Sequence, residues 1–231
     1  MITAIIPARS GSKRLPGKNI KKLAGKPLLF YTIDSVLGHD DISKVILSTD
    51  SKEYINLARD EYGNNIDYQY RPSEYASDHA KVYDEIKRLV STKVIQTDWY
   101  IVCLPTCPLR NHKVVRNLLN EWRVTHSPLF SASENNFPTQ FAFTIKKDSN
   151  KWIPLTKDSP MLTGNTRSQD ITQTYRPNGA MYLQHVKNIH ESTFYINAGA
   201  YLMNREESID IDTELDFIIC ENMLSKKNNI S

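Results

Sequence analysis

Residues 1–19, "MITAIIPARSGSKRLPGKN", contain the pattern that decides the fold. The apolar run "TAIIPA" predicts a short buried strand that ends at a proline. The loop that follows this strand carries four cations, Arg9, Lys13, Arg14 and Lys18, whereas the first acidic residue of the chain is Asp34. Because no carboxylate lies nearby in the sequence, we expect a ligand to supply the counter-charge of this loop.

The composition indicates an ordinary globular protein. The chain has 231 residues, of which 40% are hydrophobic and 24% charged, and its formal net charge is +3. This size predicts a single domain, 1–231, that contains at most an insertion. The small basic excess argues against a nucleic-acid partner, and no apolar stretch is long enough to imply a membrane partner. An odd number of cysteines, three, indicates a reducing compartment, so we expect a cytoplasmic protein.

Strand-like and helix-like segments alternate along the chain. The runs "KVILSTD" and "DWYIVCLP" predict strands, and "KPLLFYTIDSVLG", "KEYINLARDEYG" and "NHKVVRNLLNEWRV" predict helices. A final segment, "TELDFIICENMLSKK", predicts an amphipathic helix that Thr213 caps. This alternation predicts an α/β fold built on a mostly parallel sheet.

The segment 134–175 interrupts the alternation. It combines short strand-like pieces with polar turns and shows no long helical pattern. We interpret it as an insertion or flap that makes an oligomer contact. Such a contact would bury an apolar patch that includes Phe137, Phe141 and Phe143.

The basic loop has the composition of a phosphate cradle. Gly11 and Gly17 let the backbone approach an anion closely, and successive N–H groups form an anion-binding concavity. Side chains add further donors: Arg9, Ser10, Ser12, Lys13 and Lys18. The spacing matches neither the Walker A loop nor GxGxxG. The alternative interpretation is a solvated basic loop.

An acidic pair lies near the other end of the chain. Asp210 and Asp212 in "SIDIDTELD" are two apart, so an extended backbone presents both carboxylates on one side. Mg²⁺ prefers such oxygen ligands and shares them with phosphate. In the alternative interpretation Asp212 only caps the following helix. Ligands of parallel sheets bind at the carboxyl ends of the strands, so we expect this pair and the basic loop to converge there.

Together these segments resemble one family over nearly the whole chain. "PARSGSKRLPGKN" is similar to the signature loop of the acylneuraminate cytidylyltransferases, the CMP-N-acetylneuraminic acid synthetases. The motifs "ILSTD", "RPSEYASD", "LPTCPLR", "YRPNGAMY" and "DIDTELD" continue the resemblance in the order of the family. The resemblance implies a nucleotidyltransferase-type three-layer sandwich in which 134–175 is a small dimerisation insertion or substrate cap, and therefore a homodimer.

The resemblance also implies a reaction and its residues. CTP and an acidic nine-carbon sugar would give a CMP-sugar and pyrophosphate, with Mg²⁺ as cofactor, for surface polysaccharide biosynthesis. The implied nucleotide-binding residues are Arg9, Ser10, Gly11, Ser12, Lys13, Lys18, Asn19, Arg71, Ser77 and Asp78. The implied sugar-binding residues are Leu104, Arg167, Gln169, Arg176 and Asn178. Asp210 and Asp212 would hold the metal, and the implied catalytic residues are Arg9, Lys18 and Asp212, the last as the proton acceptor.

Departures from the family pattern fall on the sugar side. Leu104 stands where a glutamine is common, Cys107 replaces a serine, and Ser168 and Thr172 differ from the expected arginine and proline. These changes leave the choice of nonulosonic acid open. Two alternatives remain: a cytidylyltransferase for keto-deoxyoctonate or another sugar nucleotidyltransferase, and a non-catalytic nucleotide-binding protein.

Overall fold

The computed structural model of the protein describes residues 1–167 and 170–228. The strands are β1 (Ile2–Pro7), β2 (Lys22–Leu23), β3 (Lys26–Pro27), β4 (Ile42–Thr49), β5 (Asp67–Tyr70), β6 (Trp99–Cys103), β7 (Leu129–Glu134), β8 (Phe143–Ile145), β9 (Trp152–Pro154), β10 (Tyr175–His185) and β11 (Gly199–Leu202). The α-helices are α1 (Leu28–Val36), α2 (Lys52–Tyr62), α3 (Ser73–Ala76), α4 (Val82–Ser91), α5 (His112–Thr125), α6 (Pro160–Thr163) and α7 (Glu214–Asn228).

Seven of these strands form one central sheet in the order β11-β7-β10-β6-β1-β4-β5. β1 pairs in parallel with β4 and β6, β4 pairs in parallel with β5, and β7 pairs in parallel with β11. Only β10 runs antiparallel to its neighbours in this sheet. The predicted α/β fold with a mostly parallel sheet is therefore confirmed.

Helices cover both faces of the sheet because the side chains of each strand alternate between them. Ile6 of β1 packs into a core cluster with α1, α2 and α5. Ile5 points the other way, into a cluster with Ile86 and Leu89 of α4. This arrangement is the predicted three-layer sandwich. Among the described residues, no helix is both long enough and apolar enough to cross a membrane.

The interrupting segment leaves the central sheet and returns to it at the same place. Tyr175 at the start of β10 pairs with Glu134 at the end of β7. Next to this pair, Asn135 N–H donates to the carbonyl of Thr174 at 2.9 Å. Between these points the chain forms the β8–β9 hairpin and the short helix α6. An excursion whose ends meet on two neighbouring antiparallel strands has the geometry of an insertion.

Helix α7 differs from its prediction. Phe217 and Cys220 are buried, but Leu215, Ile218 and Ile219 are exposed. The prediction of an amphipathic helix is therefore wrong, because apolar side chains lie on several sides of the helix and not along one stripe.

The candidate active site

A cavity of about 730 Å³ opens at the carboxyl ends of the parallel strands. The basic loop after β1 and the segment after β6 form parts of its wall. The acidic segment before α7 and the residues around α3 complete it. The polar and charged lining residues are Arg9, Ser12, Lys13, Arg14, Lys18, Asn19, Arg71, Asp78, His79, Thr106, Asp210 and Asp212. The predicted convergence of the loop and the acidic pair is confirmed.

The basic loop is held by hydrogen bonds at both of its ends. At the start, the N–H and the hydroxyl of Ser10 both donate to Asp50 at 2.8 Å. At the end, Gly17 adopts a left-handed backbone with φ of 66°, before a 3-10 turn at Lys18–Ile20. Asn19 Nδ2 then donates to the carbonyl of Arg9 at 2.9 Å. Ser10, whose polar groups are used by Asp50, and Gly11 do not line the cavity, contrary to their predicted role at the nucleotide.

The four cations of the loop have protein counter-ions, contrary to the expectation from the sequence. Asp78 contacts Arg9 at 3.1 Å and Lys13 at 2.6 Å. Asp212 contacts Arg14 at 3.0 Å and Lys18 at 3.3 Å. The sequence analysis missed both carboxylates because Asp78 and Asp212 are 65 or more residues away from these cations along the chain. A ligand is therefore not the only counter-charge of this loop.

Asp210 and Asp212 lie beside the segment that follows β6. The N–H of Ile211 donates to the carbonyl of Thr106 at 2.7 Å, and Lys18 Nζ donates to the carbonyl of Ile211 at 2.6 Å. These bonds fix the backbone between the two carboxylates. They also hold Lys18, which belongs to the basic loop, beside the acidic pair.

The carboxyl group of Asp210 has a raised pKa. The largest cause of the increase is desolvation. A hydrogen bond from Thr106 lowers the pKa, and the negative charge of Asp212 raises it further. Water still reaches Asp210 from the cavity, although protein surrounds it on most other sides. The desolvation is therefore partial.

Asp212 does not cap α7, so the alternative interpretation of this residue is not supported. The cap belongs to Thr213, whose hydroxyl accepts from the N–H of Asp216 at 3.3 Å. In return the Asp216 carboxylate accepts from the N–H of Thr213 at 2.8 Å. This reciprocal pair is a capping box. It leaves the carboxylate of Asp212 to the cavity and its cations.

Arg71 is the least exposed cation of the cavity. It is 2% exposed, and its Nε has no hydrogen-bond partner among the described residues. Burial lowers the pKa of its guanidinium. The nearby carboxylates of Glu85 and Asp50 act in the opposite direction and raise this pKa. A buried donor without a partner is costly. Because Arg71 lines the cavity, the rest of its guanidinium group can donate to a ligand that binds there.

A second cavity of about 680 Å³ shares Asp210 and Asp212 with the first. Its cations are Arg176, from β10, and Arg205. Leu104, by contrast, lines the first cavity with its apolar side chain. The two predicted sugar-side residues Leu104 and Arg176 therefore line different cavities, which share the acidic pair.

Three other sugar-side predictions need correction or cannot be followed. Asn178 is buried, and its amide is used internally: Oδ1 accepts from Ser131 at 2.5 Å and from the N–H of Ala180 at 3.1 Å. It therefore joins two strands and does not face a ligand. Arg167 lies outside the lining of both cavities and pairs with Asp170 at 3.8 Å, because the insertion carries it away from the sheet edge. Gln169 lies outside the described residues.

Sequence reasoning gave several residues of the site no role or a different role. Arg14 was counted as a cation but given no role, although it contacts Asp212. Ser77 was assigned to the nucleotide, yet its carbonyl accepts from Arg9 at 3.2 Å. Thr106 lines the cavity, and its carbonyl accepts from the N–H of Ile211, which lies between the two aspartates. Its position directly after a buried strand, in "LPTCPLR", is the signal that could have identified it.

An α/β sandwich with a cation-rich cavity beside paired carboxylates defines the nucleotidyltransferase class, and comparison with known proteins specifies it further. The family model described as cytidylyltransferase matches residues 3–219. The chain therefore belongs to the cytidylyltransferase family, as the resemblance predicted.

Two curated relatives show how similar the sequence of this chain is to other proteins of the family. An N-acylneuraminate cytidylyltransferase from Escherichia coli is 34% identical over 98% of this chain, but the chain spans only 53% of that protein. A CMP-N,N'-diacetyllegionaminic acid synthase from Legionella pneumophila is 32% identical, over 96% of each chain. The chain thus spans about half the length of one relative and nearly all of the other.

A solved structure confirms the fold. The structure of a CMP:2-keto-3-deoxy-manno-octonic acid synthetase complexed with CTP matches with a TM-score of 0.71, over 98% of this chain and 99% of that one. Its sequence is 17% identical, so the likeness concerns the fold alone.

We predict that Asp210→Asn stabilises the metal-free protein at neutral pH. An aspartate whose pKa is raised in the folded state lowers stability as the pH rises above its ordinary value of 3.8. Asparagine removes that loss. The gain should be below about 1 kcal/mol because water reaches the group. Urea unfolding in a chelator at pH 7 and pH 4 measures it, and the gain should be present at pH 7 and absent at pH 4.

The matched control for this prediction is Asp60→Asn, which changes an exposed carboxylate on α2. Its effect should be small at both pH values. A loss of stability in Asp210→Asn at pH 7 would contradict the assigned cause of the pKa shift.

Proposed function

We propose that this protein transfers CMP from CTP to the anomeric hydroxyl of a nonulosonic, sialic-acid-like sugar and releases pyrophosphate. The observation that carries the proposal is the meeting of the loop cations with the acidic pair in one cavity. Lys18 Nζ lies 3.3 Å from Asp212. It also donates to the carbonyl of Ile211, which is 193 residues away along the chain. Cations for a polyphosphate and carboxylates for a metal thus share one site.

The loop cations suit a triphosphate. Arg9 offers a planar fork of donors, and Lys13 and Lys18 offer point charges. Together with Arg14 they supply four positive charges along one wall of the cavity. A metal-bound triphosphate would replace Asp78 and Asp212 as their counter-ions.

The acidic pair suits Mg²⁺. Among the described residues, no group of three or more His, Cys, Asp and Glu side chains has the arrangement of a metal site. Two carboxylates beside a phosphate site nevertheless fit Mg²⁺, which takes the rest of its oxygen shell from phosphate and water. Asp210 and Asp212 would hold the ion, and when bound it would neutralise charge on the phosphates during transfer.

The side chains of the cavity then have separate tasks. The anomeric hydroxyl attacks the α-phosphorus, and pyrophosphate leaves in line. Arg9, Lys13 and Lys18 stabilise the charge that builds on the leaving pyrophosphate. Asp212 accepts the proton of the attacking hydroxyl. Most of the rate enhancement then comes from positioning and fixed charge.

The nucleobase end of the cavity is assigned to Arg71. The cytosine ring carries acceptors at O2 and N3, and the guanidinium of Arg71, which lines the cavity, can donate to them. This contact would place a charged donor at the base. It also separates the base-reading residue from the phosphate-binding loop.

The proposal of a nonulosonic sugar rests on the relatives. One relative is an N-acylneuraminate cytidylyltransferase and another is a CMP-N,N'-diacetyllegionaminic acid synthase, at 34% and 32% identity. Keto-deoxyoctonate stays as the alternative, because the protein of similar fold is a CMP:2-keto-3-deoxy-manno-octonic acid synthetase. A CMP-sugar product would supply a glycosyltransferase that builds a surface polysaccharide. We place the reaction in the cytoplasm, which suits the three free, buried cysteines.

The experiment that tests the reaction is pyrophosphate release from CTP and Mg²⁺ with a panel of acids. The panel contains N-acetylneuraminate, legionaminate, pseudaminate and keto-deoxyoctonate. We expect release with one nonulosonic acid and its loss in Asp210→Ala. Release with keto-deoxyoctonate alone would select the alternative enzyme. CTP binding without release from any acid would favour the non-catalytic protein.

We predict that Arg71→Met weakens CTP about tenfold or more and leaves inorganic pyrophosphate unchanged. Hydrogen bonds from a charged donor contribute about 1.5–3 kcal/mol, and pyrophosphate uses only the loop cations. Isothermal titration calorimetry of both ligands measures the two effects. Because pyrophosphate serves as the internal control for folding, equal weakening of both ligands would contradict the assignment of Arg71 to the base.

The insertion is proposed to make a homodimer contact. Its hairpin and the residues beside it expose a set of large apolar side chains: Phe137, Phe143, Ile145, Trp152, Ile153, Leu155 and Leu162. Phe141, also predicted for this patch, is only partly exposed. A patch of this size usually marks a contact surface, and a second copy offers the same apolar residues in a two-fold arrangement.

We predict twice the mass of one chain by light scattering at micromolar concentration. The double variant Trp152→Ser, Leu155→Ser should shift the protein toward one chain, because it places two hydroxyls in the apolar contact. Val124→Ser is the control, since Val124 is exposed on α5 outside the insertion. A wild-type protein with the mass of one chain would refute the dimer.

A further inference from the structure

We propose that Asp78 is a built-in competitor of the phosphate ligand, which holds Arg9 and Lys13 by ion pairs that any polyphosphate has to replace. Asp78 thereby sets the affinity of the cavity for anions and so decides which of them occupy it at a given concentration. This inference rests on the proposed function, in which the basic loop binds the triphosphate of CTP. It replaces the predicted role of Asp78 as a residue that contacts the nucleotide.

The geometry shows one carboxylate bridging two cations. Oδ1 of Asp78 lies 3.1 Å from Nη1 of Arg9, and Oδ2 lies 2.6 Å from Nζ of Lys13. The same Nη1 also donates to the carbonyl of Ser77 at 3.2 Å. Both oxygens of the carboxylate are therefore directed at cations assigned to phosphate.

The two sides of this bridge come from different segments that line the cavity. Arg9 and Lys13 lie in the loop after β1, and Asp78 lies in the turn between α3 and α4. The side chains are partly open to solvent, at 37% exposure for Arg9, 40% for Asp78 and 77% for Lys13. A ligand can therefore reach the pairs and displace them.

A carboxylate in this position competes with phosphate and does not assist it. An ionised carboxylate is an acceptor only, as is a phosphate oxygen, so both need the same donors. The two anions also repel each other at short distance. A hydrogen bond from Lys13 lowers the pKa of Asp78 although its slight burial opposes this, and the charge of Arg9 adds to the lowering. The competitor is consequently charged at neutral pH.

Asp212 makes a similar bridge but has a different role. It contacts Arg14 and Lys18, and it also belongs to the pair with Asp210 that suits Mg²⁺. Loss of Asp212 should weaken a metal-bound polyphosphate. Asp78 has no such neighbouring carboxylate in the lining of the cavity. The sign of the effect on binding therefore distinguishes the two residues.

The constant cost of displacement decides which anions occupy the cavity, because it raises the Kd of each anion by the same factor. Any anion that uses both Arg9 and Lys13 loses the same free energy when it separates them from Asp78. A single phosphate makes few contacts elsewhere, so this cost removes a larger part of its binding. A triphosphate gains further contacts from Arg14 and Lys18 and can carry a metal. Asp78 thus keeps abundant small anions out of the site.

The test measures inorganic pyrophosphate and CTP binding to Asp78→Asn by calorimetry at low salt. We expect the Kd of pyrophosphate to fall about threefold to tenfold, the range that exposed ion pairs allow. The Kd of CTP should also be lower in Asp78→Asn than in the wild type. Inorganic phosphate should bind measurably to the variant and more weakly to the wild type.

Glu74→Gln is the matched control. It removes one negative charge from α3, a few residues from Asp78, and Glu74 is exposed. No ion pair joins Glu74 to the loop cations in the described part of the chain. Its Kd values should equal those of the wild type, so a general change of surface charge is excluded as the cause of any gain.

Two further measurements assign the gain to the bridge itself. The difference between Asp78→Asn and wild type should shrink as the salt concentration rises, because exposed ion pairs are screened. In a Lys13→Met background the gain from Asp78→Asn should also be smaller, since one half of the bridge is already absent.

Each outcome decides between clear alternatives. Weaker CTP binding in Asp78→Asn would make Asp78 a ligand-contacting residue and overturn the inference, as would unchanged binding of both ligands. If wild type and Glu74→Gln bind neither pyrophosphate nor CTP, the proposed function fails, and the inference fails with it. Binding in both with no gain in Asp78→Asn overturns the inference alone.

Discussion

The parallel pairing of β1 with β4 and β6 is the constraint on which the site depends. Parallel strands end at the same edge of a sheet, so the loops that follow them have to share one region of space. The basic loop after β1 and Thr106 after β6 meet there with the acidic segment before α7. Strand pairing is therefore what turns motifs from both ends of the chain into one cavity.

Charge balance within that cavity is the second organising feature. The four cations of the loop would repel one another if they were unpaired. Two carboxylates, Asp78 and Asp212, each bridge two of these cations. Exposed pairs of this kind contribute little stability each. Their weakness suits a binding site, because a more highly charged anion can replace them without disturbing the buried core.

Much of this arrangement could be predicted from the sequence. The apolar runs of β1, β4 and β6 and the helix frames of α1, α2 and α5 follow from local pattern, and the motif order pointed to the family. The interpretation of α7 as amphipathic was wrong, because its apolar residues lie on several sides of the helix and do not form one stripe. The sugar side was predicted least well: Asn178 has the residue type of a ligand-binding group, but its amide is consumed between two strands.

The sequence by itself determined the fold class, the composition of the basic loop and the presence of a paired-aspartate motif, because these depend on local spacing and residue type. Tertiary structure alone decided the partners of the charges. Asp78 and Asp212 are far from the loop cations along the chain, and only sheet topology brings them within 3.3 Å or less. It also decided that Arg71 is buried with an unpaired donor, since burial is a property of everything packed around a residue and not of its neighbours in sequence.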